Sequence, residues 1–104
     1  MERKTITDLL AAALNPEEAR TRAVWAKARV IADIRLAPDE WRYDDDGNII
    51  RYSEYGQFSD YGWEIDHRLP TAFGGLDAYA NLRPLHWRAN RSRGGLIGAL
   101  FDRR

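Results

Sequence analysis

The C-terminal part of the chain takes its fold from the stretch Trp63-Glu64-Ile65-Asp66-His67-Arg68-Leu69-Pro70. Apolar and polar side chains alternate along this stretch, which is typical of a short β-strand. Pro70 ends the strand, because proline has no backbone N–H to donate to a neighbour. A loop of roughly a dozen residues leads to a second short strand over residues 82–86, and a helix is expected from about residue 87 to residue 99. The predicted local order is strand, loop, strand, helix.

Two helices are predicted before residue 37. An apolar stripe with helical spacing over residues 6–14 indicates a short amphipathic helix. Asn15 is a suitable N-cap for a second helix, and Pro16 suits its first position. This second helix is expected to run to about Leu36, because Pro38 disfavours helical backbone at the residue before it. We interpret both helices as scaffold.

A β-hairpin is predicted in the middle of the chain. Residues 41–43 and 49–52 are rich in strand-forming residues and flank the turn cluster Asp44-Asp45-Asp46-Gly47-Asn48. The three aspartates do not fit a calcium-binding loop, since counting back from Gly47 puts Arg42 in its first ligand position. The cluster is therefore interpreted as a polar turn, and residues 53–62 as a loop.

The length of 104 residues has room for one hydrophobic core. We expect a single domain over 1–104, with a helical scaffold (1–37), a hairpin and loop (38–61), the strand–loop–strand–helix segment (62–99) and a basic tail (100–104). There is no cysteine, which excludes disulfides, thiol catalysis and cysteine-based zinc sites. The longest apolar run, residues 9–14, is too short for a membrane span. These features predict a soluble, cytoplasmic protein without a membrane partner.

Charge is balanced in total but not along the chain. The sequence has 16 basic and 16 acidic residues, yet residues 36–66 hold nine acidic and two basic side chains. From residue 81 onward there are six arginines and one aspartate. Such an arginine-rich end favours a surface that binds an anionic polymer. A solvated helix with a basic tail explains the same pattern, and charge alone leaves both readings open.

A set of motif residues falls on the predicted strand–loop–strand–helix segment. They are Ile65-Asp66-His67-x-x-Pro70, Gly74-Gly75, Asn81-Leu82-x-x-Leu85 and Asn90-x-x-Arg93-Gly94. In this order and spacing they resemble the HNH endonucleases, which are built on a ββα-metal finger. The resemblance covers about residues 62–95. It implies an α+β fold in which N-terminal helices and a hairpin pack around the finger.

The resemblance also implies a role for each matching residue. His67 would be the general base that deprotonates a water, and Asn81 would orient its imidazole. Asp66 and Asn90 would bind one divalent metal ion, and their oxygen donors suit Mg²⁺ or Mn²⁺. No structural zinc is expected, because the cysteine pairs that many relatives use are missing. The residues expected to contact DNA phosphates are Arg68, Arg83, Arg88, Arg91 and Arg93.

The residues leave structural alternatives open. Asp66 is also suited to an ion pair with Arg68 or Arg91, Asn81 to a turn and Asn90 to a helix surface. His86 stands where many relatives carry a zinc-binding cysteine. We favour a structural or substrate-contacting role for it over a ligand role, and we keep it as an accessory site residue.

The expected function is therefore a metal-dependent endonuclease acting on double-stranded DNA as a monomer or weak homodimer. A finger with one active site cuts one strand in each binding event, so strand nicking is the expected activity. The alternative is a catalytically silent nucleic-acid-binding module with the same fold. A nuclease toxin with an immunity partner is a third reading, for which the sequence holds no positive sign.

Overall fold

The computed structural model describes residues 5–6 and 15–101, with side chains described as far as residue 94. This part of the chain is a mixture of helices and small antiparallel sheets, so the predicted α+β class is confirmed. The predicted helix over residues 6–14 lies almost wholly outside the described residues. The helices and strands are α1 (Pro16–Trp25), β1 (Arg29–Val30), β2 (Trp41–Tyr43), β3 (Ile49–Arg51), β4 (Trp63–His67), β5 (Leu82–His86) and α2 (Trp87–Phe101).

Helix α1 begins as predicted but ends at Trp25, well before Leu36. At its start the Asn15 side chain accepts a hydrogen bond from the Glu18 backbone N–H at 3.1 Å, with proline at the first helical position. The predicted end was wrong because the chain after Trp25 becomes extended and pairs with β2 as strand β1. Tertiary pairing and the burial of Ala28 (6% exposed) outweigh the local helical pattern here.

The predicted hairpin is confirmed as β2 and β3, which pair antiparallel in a three-stranded sheet with β1. Its connection, residues 44–48, is called the acidic turn below. Asp44 is 3% exposed, and its carboxylate accepts hydrogen bonds from the backbone N–H groups of Asp46 (3.0 Å) and Asn48 (2.8 Å). Gly47 takes the left-handed backbone conformation that closes the turn (φ 83°). The acidic turn is therefore fixed by its own side chain and backbone.

Strands β4 and β5 form a second antiparallel sheet, with Asp66 opposite Arg83 and His67 opposite Leu82. Helix α2 follows β5 directly, so the predicted order of strand, loop, strand and helix is present. The connection between the strands, residues 68–81, is called the β4–β5 loop below. Within it the Gly75 N–H donates to the Pro70 carbonyl at 3.0 Å, and a Cβ on Gly75 would overlap the backbone there. The loop therefore needs glycine at this position.

The core joins α1 to both sheets. Trp25, Ala28, Ile50 and Trp63 form its buried cluster, and the Trp25 and Trp63 rings lie 5.2 Å apart between centroids. Trp63 is fully buried, and removing a buried tryptophan side chain costs about 3–5 kcal/mol. This core holds β4 in place from one side. No helix in the described part of the chain has the length and apolarity needed to cross a membrane.

Candidate functional site

Strand β4 presents two chemically different faces. Trp63 and Ile65 pack on the core, while Glu64 and Asp66 project from the opposite face because side chains alternate along a strand. Glu64 accepts a hydrogen bond from Asn90 of α2, and Asp66 accepts one from Arg83 across the sheet. We call the side of β4 that bears Glu64 and Asp66 the carboxylate face. The core thus holds β4 from the face opposite Glu64 and Asp66.

His67 ends β4 on the core side, where its ring meets the β4–β5 loop. Its Nε2 lies 3.0 Å from Asp77 Oδ1, and the Arg20 guanidinium reaches the same oxygen at 2.6 Å. An ionised carboxylate only accepts hydrogen bonds, so in the neutral imidazole Nε2 carries the proton. Nδ1 is then the atom left to accept a proton. The His67 side chain is 28% exposed, so solvent reaches the ring.

The Asn81 side chain forms hydrogen bonds that hold the β4–β5 loop together. Its Oδ1 accepts from the Leu69 N–H at 2.8 Å, and its Nδ2 donates to the carbonyls of Leu69 (3.0 Å) and Leu76 (2.9 Å). The Asn81 backbone carbonyl accepts from the Arg68 N–H at 2.8 Å, directly after His67. Among the described residues, the carboxylate of Asp77 contacts the His67 ring. Asn81 is therefore linked to His67 through the backbone at the end of β4.

Asp66 is held by Arg83. Asp66 Oδ2 accepts from Arg83 Nε at 2.8 Å, and Arg83 Nη1 also lies 3.2 Å from Asp45 of the acidic turn. Burial lowers the pKa of the Arg83 guanidinium, but its hydrogen bonds to the two carboxylates outweigh burial and leave the pKa raised. Asp66 therefore forms its ion pair with Arg83 rather than with Arg68 or Arg91, the two partners that the sequence suggested. Arg83 is only 8% exposed, which argues against the predicted DNA contact by this residue.

Asn90 lies in the first turn of α2 and faces β4. Its Nδ2 donates to Glu64 Oε1 at 3.2 Å, which leaves the amide oxygen as an acceptor. A carboxylate and an amide oxygen are hard donors, so Asp66 and Asn90 fit Mg²⁺ or Mn²⁺ with waters completing the coordination sphere. No group of three or more His, Cys, Asp or Glu side chains that could hold a metal occurs in the part of the chain that is described.

The acidic turn lies against two of the arginines expected to bind DNA. Arg68 Nη2 is 3.2 Å from Asp45, and Arg93 Nη2 is 3.1 Å from Asp46. All four side chains are partly exposed, between 34% and 51%. The carboxylates of the acidic turn thus neutralise part of the basic surface that the sequence predicts.

The remaining two predicted arginines differ from one another. The Arg91 guanidinium makes a two-point ion pair with Glu64, at 3.2 Å and 3.1 Å. Arg88 is exposed, and its guanidinium lies 5.0 Å from the centroid of the Trp87 ring. Arg88 is therefore the predicted DNA contact that needs no carboxylate to be displaced.

His86 is buried at the junction of β5 and α2, with 6% of its surface exposed. Its Nε2 donates to the Asp60 carbonyl at 2.8 Å, and its Nδ1 accepts from the Arg88 N–H at 3.2 Å. Its backbone N–H donates to Asp44 Oδ2 at 2.9 Å. These bonds tie the start of α2 to the acidic turn and to the loop before β4. Both ring nitrogens are thereby engaged.

Two residues of the site were not predicted from the sequence. Glu64 shares a strand face with Asp66, and the period of two along β4 is a signal that could have found it. Asp77 carries no such signal, because the shape of the β4–β5 loop depends on contacts from elsewhere, including Arg20 of α1.

Comparison with known proteins gives no further constraint, since no protein-family model, no curated protein and no solved structure matches the chain. The resemblance to HNH endonucleases rests on the motif residues between 62 and 95.

Proposed function

We propose that the chain is a divalent-metal-dependent endonuclease of the HNH type, which hydrolyses phosphodiester bonds in double-stranded DNA. The observation that carries this proposal is the unit of β4, β5 and α2. It has Asp66 and His67 at the end of one strand and Asn90 at the start of the helix that packs beside it. The motif assigns metal binding to Asp66 and Asn90, and proton transfer to His67.

His67 would act through Nδ1, the ring nitrogen that the Asp77 contact leaves without a proton. As the water oxygen attacks phosphorus, Nδ1 would take the water's proton, and the bond from phosphorus to the 3′ oxygen would break, with that oxygen taking a proton from solvent water. Asp66 and Asn90 would hold the divalent ion, which supplies charge neutralisation at the phosphate. Asn81 would keep His67 in position by closing the β4–β5 loop.

DNA would bind along the exposed arginines beside this unit. The exposed Arg88 would contact phosphate directly, and Arg68, Arg91 and Arg93 would exchange carboxylate partners for phosphates. One site in each molecule makes a single-strand nick the expected product. A double-strand break would require a second binding event or a second copy.

A second candidate is a nucleic-acid-binding module without catalysis. The ion pair between Arg83 and Asp66 favours it, because a guanidinium already neutralises the carboxylate that would bind metal. On this reading the fold and the arginines serve binding alone.

Incubation of supercoiled plasmid with the protein and Mg²⁺ or Mn²⁺ separates the two candidates. The nuclease proposal predicts open circles before linear product, loss of cleavage in excess EDTA, and near-complete loss in Asp66→Ala and Asn90→Ala. A plasmid that is shifted on a native gel but stays supercoiled with every metal would favour the silent module. Cleavage that persists in excess chelator would contradict the metal-dependent mechanism.

A further inference from the structure

Glu64 is fixed on the carboxylate face of β4, two positions before Asp66. Its side chain is 21% exposed, and both of its oxygens are engaged by α2. Oε1 accepts from Asn90 Nδ2 (3.2 Å) and from Arg91 Nε (3.2 Å), while Oε2 accepts from Arg91 Nη2 (3.1 Å). A two-point pair of this kind fixes the plane of the carboxylate. Glu64 is therefore held by Arg91 and in turn holds Asn90.

The contact with Glu64 decides which end of the Asn90 amide is free. An asparagine side chain has a donor end and an acceptor end, and an ionised carboxylate can only accept. The NH₂ group must therefore face Glu64, and the amide oxygen is turned away from it. The 3.2 Å contact of Asn90 Nδ2 with Glu64 Oε1 has this orientation. Without Glu64, the amide would be free to rotate and to present either end.

We infer that Glu64 is a positioning residue, which orients Asn90 so that its amide oxygen is offered to a divalent cation beside Asp66. This inference rests on the proposed function. Groups that orient a metal ligand through a hydrogen bond typically contribute about 10–100-fold to metal affinity. Glu64 itself is not assigned as a ligand, because Asn90 and Arg91 already use both of its oxygens.

The test is Mn²⁺ binding by DNA-free protein, measured by isothermal titration and by the electron paramagnetic resonance of free Mn²⁺. Glu64→Ala is expected to weaken binding about 10–100-fold. Glu64→Gln keeps an oxygen that accepts from Asn90, so its affinity is expected to stay within about threefold of wild type. Glu40→Gln is the matched control. It removes the same charge from a carboxylate paired with Arg51 at 3.1 Å on the other sheet, and no change is expected.

A second readout needs no metal. With ¹⁵N-labelled asparagine, the side-chain amide signals of Asn90 are expected to shift in Glu64→Ala and to stay near their wild-type positions in Glu40→Gln. Unmoved signals in Glu64→Ala would overturn the inference. This measurement also reports whether the Glu64→Ala protein is folded, and the Gln variant provides the test if it is not.

The binding outcomes separate the inference from the proposed function. If Asn90→Ala weakens Mn²⁺ binding and Glu64→Ala does not, Glu64 does not position Asn90, while the nuclease proposal stands. If Glu64→Gln is as weak as Glu64→Ala, the charge of Glu64 matters and it acts as a ligand, which also overturns the positioning role. If wild-type protein does not bind Mn²⁺ at all, the inference and the metal mechanism fail together.

Discussion

The two hairpins of this molecule are closed in opposite ways. Strands β2 and β3 are joined by the acidic turn, residues 44–48, which is fixed from within by the buried carboxylate of Asp44. Strands β4 and β5 are joined by the longer loop over residues 68–81, which is fixed by Asn81 and by contacts from α1. The short connection is held by hydrogen bonds within itself. The conformation of the long connection depends also on a contact with α1, and the residues proposed for catalysis lie at its ends.

The two hairpins also carry opposite charges where they contact each other. Asp45 and Asp46 of the acidic turn pair with Arg68, Arg83 and Arg93 of the β4–β5–α2 unit. An acidic middle and an arginine-rich end therefore neutralise each other within one fold. Charge counted along a sequence does not give the charge that a partner meets.

Of the changes to the two connections, the larger loss of stability is expected in the acidic turn. Asp44→Ala removes hydrogen bonds to Asp46, Asn48 and His86 and leaves the buried His86 N–H without this acceptor, at a cost of about 2–4 kcal/mol. The melting temperature should fall by roughly 10 °C or more, as measured by circular dichroism. Cleavage by the folded fraction should remain close to that of wild type.

Asn81→Ala provides the contrast at the other hairpin. Its three side-chain hydrogen bonds are partly exposed, so the expected loss is smaller, about 1–3 kcal/mol. Cleavage by the folded fraction should nevertheless fall well below that of Asp44→Ala, because the loop carries the His67 contact. Equal cleavage by the two folded proteins would remove the functional distinction between the hairpins.

A smaller effect, on DNA affinity, is expected when the carboxylate charges of the acidic turn are removed. The double variant Asp45→Asn with Asp46→Asn frees Arg68 and Arg93 for phosphate, so DNA should bind about 5–10-fold more tightly at low salt, since each exposed pair is worth up to about 1 kcal/mol. The slope of log affinity against log salt should steepen by about 1–2. Asp39→Asn, two residues before β2, is the control. Equal affinities for the double variant and wild type would place DNA on another surface.

The smallest change in melting temperature is expected from removal of the metal ion. The start of α2 is tied down by hydrogen bonds of His86 to Asp44 and Asp60. We expect EDTA to change the melting temperature by about 2 °C or less, because folding is not expected to require a metal ion. A fold held by a structural metal would lose much more stability. A large drop in a calorimetric scan would reveal such a metal and would contradict the account of this junction.

The sequence predicted the elements whose signals are local. The cap at Asn15, the turn around Gly47 and the bounds of β5 follow from residue types that act within a few positions. The predicted end of α1 was wrong, because the apolar side chains of Ala28, Val30 and Ile31 suit a helix as well as an extended segment. Pairing with β2 decides between the two, and that partner is distant in sequence.

The candidate site was likewise predictable only where its signals are local. The motif residues could be named from their spacing, but their partners could not. Asp66 pairs with Arg83 and His67 meets Asp77, and each contact depends on how the β4–β5 loop folds back. Long-range pairs of charged side chains leave no periodic signal in a sequence.

Single-turnover cleavage of supercoiled plasmid by His67→Ala tests the central claim most directly. The variant and wild type are compared in Mg²⁺, with circular dichroism and gel-shift binding matched between them. We predict that the cleavage rate falls by about 10²–10⁴-fold, because a general base is lost, while the fold and DNA binding stay nearly unchanged. A rate within a few-fold of wild type would show that His67 does not take the proton and would contradict the proposed mechanism.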